Sequence, residues 1–210
     1  MGICYIVGAA EIYKKITPGS DDLVIAADGG YDRLVKMGVR PDLLIGDLDS
    51  VESELPRELE VIRHPIEKDE TDSYLAYLEG RRRGYTKFEL LGCTGGRDDH
   101  TFANYTLLLH AKNEGCEMTL VSEGFVSFVI KNKRASLFGR EGATVSAFAF
   151  GGECKGVSIR GLYYEAENIS LSPESALCVS NHFTDKAAEI EVGEGALLVF
   201  AEKDTEISLK

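Results

Sequence analysis

The spacing of apolar residues changes character once along this chain, near Val121, and that switch constrains the fold more than any other feature. Before it, short apolar runs alternate with segments of helical spacing. Cys4 to Val7, Leu23 to Ala27, Leu43 to Ile45, Glu60 to Arg63, Lys87 to Leu91 and Met118 to Val121 read as strands. Tyr31 to Met37, Ser73 to Arg83 and Phe102 to Asn113 read as helices, stopped by Gly38, Gly84 and Gly115. The expected apolar faces are Tyr74, Leu75 and Leu78 on the second helix. On the third they are Phe102, Ala103, Thr106, Leu107 and His110. Such alternation predicts a mainly parallel sheet flanked by helices.

After Val121 no long helical pattern remains. Period-two runs recur between Gly and Asn residues: Ser127 to Ile130, Thr144 to Phe148, Gly156 to Arg160, Leu177 to Asn181, Ala188 to Val192 and Ala196 to Ala201. This spacing predicts a small all-β sandwich or barrel. The expected organisation is an α/β domain over 1–122, a joint within Ser122 to Phe125, and a β-rich domain over 126–210.

Acidity follows the same division. The 210 residues carry 23 Lys and Arg against 35 Asp and Glu, a net charge of −12. Glu falls 11 before Ser122 and 11 from it onward, whereas Asp falls 11 and 2. A solubility excess has no reason to prefer Asp in one part. A short carboxylate held close to the backbone suits loops, helix N-caps and metal sites. The negative charge argues against binding a nucleic-acid backbone through a basic face. In open α/β sheets, ligands bind beyond the carboxyl ends of the strands, and Asp28, Asp47, Asp49, Asp69, Asp72, Asp98 and Asp99 all follow predicted strands.

Each acidic cluster admits two readings. Asp47-Leu-Asp-Ser50 suits a shared Mg²⁺, a hard cation that prefers oxygen, or a turn whose carboxylates accept local N–H groups. Lys68-Asp-Glu-Thr-Asp72 suits a ligand site or a helix start with acid near the positive dipole end. In Gly92-Cys-Thr-Gly-Gly-Arg-Asp-Asp-His100, Gly95 and Gly96 let backbone approach an anion ahead of a helix N-terminus. Arg97 adds a planar charged fork. The alternative is an ordinary strand–helix turn, and the run matches neither a Walker loop nor a dinucleotide fingerprint. Arg81-Arg82-Arg83 ends a helix, where cations suit the dipole.

Several classes are excluded or unexpected. No run of about 18 apolar residues exists, so no membrane span is expected. The chain starts directly on strand-like residues, so no secretory leader is expected. Five widely spaced Cys form no CxxC pair, which fits a reducing cytoplasm rather than a zinc or disulfide scaffold.

Taken in order, Ala27-Asp-Gly-Gly30, Gly46-Asp-Leu-Asp-Ser50, Glu67-Lys-Asp-Glu-Thr-Asp72 and Gly95-Gly-Arg-Asp-Asp-His100 with Asn104 resemble the thiamine pyrophosphokinase family. In the second half, Gly161-Leu-Tyr-Tyr164 and Val179-Ser-Asn181 resemble its Gly-Leu-Lys-aromatic and Ser-Asn motifs. Tyr163 departs from the usual Lys, and Tyr164 replaces the Trp of many animal and fungal members. The resemblance implies pyrophosphate transfer from ATP to thiamine, with Mg²⁺ held by Asp47, Asp49, Asp69 and Asp72. It implies that Asp99 holds metal or orients the thiamine hydroxyl. Asp28, Gly29, Lys68, Thr94, Gly95, Gly96, Arg97, His100 and Asn104 would face ATP. Tyr164 would stack on thiamine, and Ser180 and Asn181 would bond its polar edge. A homodimer with shared sites is also implied, with no nucleic-acid or membrane partner. A pyrophosphokinase for another alcohol, such as a hydroxymethylpterin, would keep the Asp set and change Tyr164, Ser180 and Asn181. A non-catalytic nucleotide- or thiamine-binding regulator would be expected to lose a metal Asp.

Overall fold

Leu23 to Ala27 is buried at every position, as a strand covered on both faces must be. It is β2 of a parallel sheet in the computed structural model, which describes residues 2–65 and 69–209. The strands and helices up to the switch are β1 (Cys4–Val7), β2 (Leu23–Ala27), α1 (Gly30–Met37), β3 (Leu43–Gly46), β4 (Glu60–Arg63), α2 (Asp72–Arg82), β5 (Lys87–Leu91), α3 (Asp98–Asn113) and β6 (Glu117–Val121). The six strands run in the order β6-β5-β1-β2-β3-β4, and every pairing among them is parallel. The chain therefore winds outward from β1 in one direction and returns on its other side at β5. The gap between β1 and β5 is a topological switch point, where open sheets of this type bind ligands.

Helix ends are set by local chemistry. Gly38 closes α1 in the left-handed conformation (φ 73), donating its N–H to Leu34 and Val35 carbonyls, a C-terminal stop that glycine adopts without steric cost. Thr71 caps α2 through its hydroxyl, which accepts from the Tyr74 N–H. Asp98 and Asp99 form the first turn of α3, so that helix starts four residues before the expected Phe102. Acid near the positive dipole end makes this extra turn favourable.

The buried faces differ from those expected. On α2 the core side is Ala76, Tyr77, Glu79 and Gly80, and Leu78 is exposed. On α3 it is Asn104, Leu107, Leu108 and Ala111, and Phe102 is 62% exposed. Buried polar groups explain the shift: Glu79 is paired with Arg82 and Arg83, and Asn104 bonds backbone. A pattern that counts only apolar residues passes over such positions.

Met1–Glu123 forms one unit and Gly124–Lys210 the other. The second contains β7 (Phe125–Lys131), β8 (Arg134–Phe138), β9 (Thr144–Ala149), β10 (Cys154–Arg160), β11 (Ala166–Leu171), β12 (Asn181–His182), β13 (Ala187–Glu191), β14 (Ala196–Glu202) and β15 (Glu206–Leu209). Its strands form two antiparallel groups, β12-β9-β14-β7 and β11-β10-β13-β8-β15. Phe128, Val145 and Val199 from the first group and Leu137, Val157 and Ile190 from the second share one core, which makes the unit a sandwich. The expected strand Leu177 to Asn181 is corrected. Residues 172–180 turn twice, through Ser175 N–H to Ser172 O and Val179 N–H to Ala176 O, with one backbone bond from Ala147 N–H of β9 to Cys178 O, and the ladder with β9 is confined to Asn181–His182. Pro173 and the local serines favour turns over a ladder. All five cysteines are free and buried. Among the described residues, no helix is long and apolar enough to cross a membrane.

Candidate functional site

The carboxyl ends of β1, β2 and β5 open onto a cleft of about 570 Å³. Gly8, Ala9 and Ala10 line it after β1, Ala27 and Asp28 at β2, and Gly92 to Arg97 after β5. The N-terminal residues Asp72 and Ser73 of α2, and His100, Thr101 and Asn104 of α3, complete it.

Three carboxylates meet around Asp28, the member of the group that lines the cleft. Asp28, Asp47 and Asp49 each offer an oxygen, and these oxygens lie within 4.8 Å of one another. The backbone between them is unusual. Asp28 sits at φ 49 and Leu48 at φ 69, both left-handed. A bulky residue there costs energy and persists only when its surroundings hold it. Leu48 packs into the apolar cluster with Val51 and Leu55, and the loop beyond it is tied to α1 by the Asp32 carboxylate, which accepts from the Glu52 and Ser53 N–H groups. Gly46 is required: at φ 153 its missing Cβ would lie 3.0 Å from the Asp28 Cβ. The turn therefore exists to bring Asp47 and Asp49 beside Asp28.

Electrostatics in this cluster are repulsive. The neighbouring Asp47, by hydrogen bond and like charge, raises the Asp49 carboxyl above its ordinary value, with smaller contributions from Asp28 and Asp72. Asp47 Oδ1 accepts the Asp49 N–H at 3.1 Å. Asp28 Oδ2 accepts the Ser50 hydroxyl at 2.6 Å, but Asp28 Oδ1 is buried with no partner. A buried carboxylate oxygen without a partner is costly, and beside two more carboxylates the missing partner has the character of a hard cation. The donor set thus fits Mg²⁺.

Two arginines also line the cleft. Arg33 on α1 lines it, and its Nε donates to the Ala9 carbonyl at 2.8 Å. Arg97 is exposed and gripped by Asp99, with Nη2 2.6 Å from Oδ2 and Nε 3.1 Å from Oδ1. That guanidinium holds the Asp99 carboxyl down to about 2. Asn104 is 5% exposed and donates to the Cys93 carbonyl at 2.9 Å, which anchors the loop carrying Thr94, Gly95 and Gly96.

Of the expected site residues, Asp28, Asp72, Thr94, Gly95, Gly96, Arg97, His100 and Asn104 line the cleft, and Asp47 and Asp49 adjoin it through Asp28. Asp28, expected to face ATP, stands with Asp47 and Asp49. Asp69 lines a separate groove beside Tyr74, Leu107 and His110. Asp99 is paired with Arg97, and Asn104 donates to the loop backbone. Gly29 sits buried beside Ser50. Lys68 lies outside the described residues. Arg33 was not anticipated, because nothing in its helix-like surroundings marks it; only the β1 loop it bonds reveals its direction.

In the second unit, residues 161–164 form a pinned segment. Gly161 at φ 76 has no room for a side chain, since a Cβ would lie 2.3 Å from the Ala187 carbonyl oxygen. Leu162 is 2% exposed and bridges to Phe183. Asn181, expected to bond thiamine, is 3% exposed; its Oδ1 accepts the Tyr164 N–H and its Nδ2 donates to the Tyr164 carbonyl. A side-chain amide used this way clamps the Tyr164 backbone. Tyr164 projects outward, 64% exposed. Ser180 is exposed at φ 58, its N–H bound to Ser146 Oγ at 3.0 Å.

Comparison with known proteins matches both halves of the chain to one family. The family model described as "Thiamin pyrophosphokinase, catalytic domain" matches residues 17–120. The one described as "Thiamin pyrophosphokinase, vitamin B1 binding domain" matches residues 128–197. The thiamine pyrophosphokinase of Bacillus subtilis is 23% identical over 94% of this chain and 96% of its own. Its crystal structure superposes with a TM-score of 0.86 at 22% identity, over 96% of this chain and 99% of that one, a likeness that carries the fold. The thiamin pyrophosphokinase structure from Geobacillus thermodenitrificans gives a TM-score of 0.81 at 27% identity, over 96% and 98% of the two chains.

Proposed function

The chain belongs to the thiamin pyrophosphokinase family, and from that premise we propose that it transfers pyrophosphate from ATP to the hydroxyethyl oxygen of thiamine, giving thiamine diphosphate and AMP. The observation that carries this reading is the presence of matched catalytic and vitamin-binding segments in one chain. The cleft chemistry supports it independently.

In the reaction, the thiamine hydroxyl oxygen bonds to the β-phosphorus while the bond from that phosphorus to the α–β bridging oxygen breaks, and AMP departs. Carboxylates repel a triphosphate at direct contact. Asp28, Asp47 and Asp49 would instead hold Mg²⁺, with Asp72 near enough to raise Asp49 further. Bound there, Mg²⁺ supplies neutralisation of the charge that develops on the transferring group. Arg33, Arg97 and the backbone around Gly95 and Gly96 face the phosphates, in a cleft where charge-assisted hydrogen bonds are strong. Asp99 is a poor general base, because a carboxyl held at about 2 has little appetite for an alcohol proton; it orients Arg97. Phosphoryl transfer with a loose transition state needs positioning more than proton abstraction. Tyr164 receives a thiamine ring on an exposed face. The negative net charge draws the cationic vitamin over distance. A homodimer follows from the family resemblance, and five free cysteines support a reducing, cytoplasmic setting.

A substrate panel tests the proposal. The protein is incubated with ATP, Mg²⁺ and thiamine, thiamine monophosphate or a hydroxymethylpterin, and AMP and ADP are quantified. AMP and thiamine diphosphate should appear in equal amounts with thiamine alone. AMP release with the pterin alcohol alone would select the other pyrophosphokinase reading.

A further inference from the structure

Tyr163 and Tyr164 are neighbours in sequence, yet both rings stand in solvent, at 62% and 64% exposure. Their backbone is held firmly. The Tyr163 N–H donates to the His182 carbonyl at 2.9 Å, Asn181 clamps Tyr164, and Thr184 donates through its hydroxyl to the Gly161 carbonyl at 3.1 Å. Exposed aromatic rings on a rigid backbone lose little entropy on binding a ligand, which suits recognition. The rings also have a defined arrangement. Tyr163 lies flat against the His182 imidazole, with centroids 4.9 Å apart and planes 17° apart. It meets Tyr164 at 4.9 Å and 89°. The result is a group of three rings in contact, with the two exposed tyrosines at right angles to each other.

We infer that Tyr163, braced by His182, is a specificity-determining residue that selects a cationic, two-ring substrate. This inference rests on the thiamine reading above and adds a second ring to the surface that Tyr164 provides. Thiamine consists of two aromatic heterocycles joined by one tetrahedral carbon, so its rings cannot lie on a single flat wall. One of them carries a fixed positive charge. An aromatic face attracts such a charge through its quadrupole, and stacking on His182 keeps Tyr163 from rotating away.

The test compares thiamine with an analogue in which a neutral thiophene replaces the thiazolium and the hydroxyethyl group is kept. Tyr163→Leu, which keeps bulk and loses the ring, should raise the KM for thiamine roughly 3–30-fold, leaving the KM for ATP unchanged. Its KM for the thiophene compound should hardly move, so the parent's preference for the cation collapses. Tyr163→Phe should behave as the parent. Because the ring is exposed, melting temperatures should agree across the three proteins. An unchanged thiamine KM in Tyr163→Leu, or an equal rise for both compounds, overturns the inference while leaving the functional reading intact. If the parent forms no product, the functional reading fails, and equilibrium binding of the two compounds to the same proteins still decides the role of Tyr163.

Discussion

The two ends of the parallel sheet use the same residue type for opposite purposes. At the amino ends, Asp22 accepts the Ile3 N–H at 2.7 Å and the Gly19 N–H at 2.8 Å, and Asp42 accepts the Val24 N–H at 2.8 Å. These N–H groups hold the Asp22 carboxyl below its ordinary value. At the carboxyl ends, Asp28, Asp47 and Asp49 crowd one another, Asp49 is raised, and an Asp28 oxygen is buried without a partner. The first group finds its partners within the chain and stabilises it. The second stores repulsion that a ligand can relieve. An acidic composition is therefore no guide to function until each carboxylate's partners are known.

Substitutions should separate the two ends. Asp49→Ala should reduce kcat by about 1,000-fold or more, while the cation-free protein melts no lower than the parent. A variant that keeps full activity breaks the distinction. Arg33→Met should lower kcat/KM for ATP by roughly 100-fold and leave the thiamine KM alone; steady-state kinetics with each substrate varied reads both. Asn181→Ala removes the Tyr164 clamp and should raise the thiamine KM about tenfold, with a stability loss of about 1–3 kcal/mol for buried groups left unpaired. Asp42→Ala should do the reverse of Asp49→Ala. Activity persists, and the Tm falls by about 2–6 °C for a hydrogen bond to a charged group worth ~1–2 kcal/mol.

Acid should distinguish the ends by sign. Asp22 has a lowered folded pKa, so its stabilisation is present above 3.8 and is lost as the pH falls through its folded value. Asp49 has a raised folded pKa, so the cation-free fold is favoured below 3.8 and that contribution is lost as the pH rises through the raised value. In thermal melts over this range, Asp22→Asn should flatten the acid limb. Asp49→Asn should remove a cost at neutral pH.

The sequence made the architecture legible because strands buried on both faces leave long apolar runs, as at Leu23–Ala27. It was less informative where charge and burial coincide. Arg134–Phe138 and Glu206–Leu209 are strands whose alternation mixes charged and small residues, and Ala166–Leu171 is a mostly exposed edge strand. Helix faces were displaced for the same reason, since Glu79 and Asn104 are buried polar residues that hydrophobic spacing cannot detect. At the site, Asp47 and Asp49 could be paired from their two-residue spacing. Asp28 joining them depends on a left-handed backbone and on Gly46, which sequence periodicity does not encode. Asp69 was grouped with Asp72 by the family resemblance, whereas the two line different clefts. Arg33 became visible only through its bond to the β1 loop.

The central claim is that the carboxyl-end carboxylates form the catalytic cation site. Its most direct test is product analysis with ATP, thiamine and Mg²⁺ for the parent, Asp49→Ala and Asp42→Ala side by side. The account predicts equal amounts of AMP and thiamine diphosphate from the parent and from Asp42→Ala, and neither from a folded Asp49→Ala. Parent-like product formation by Asp49→Ala, with loss in Asp42→Ala, would contradict it.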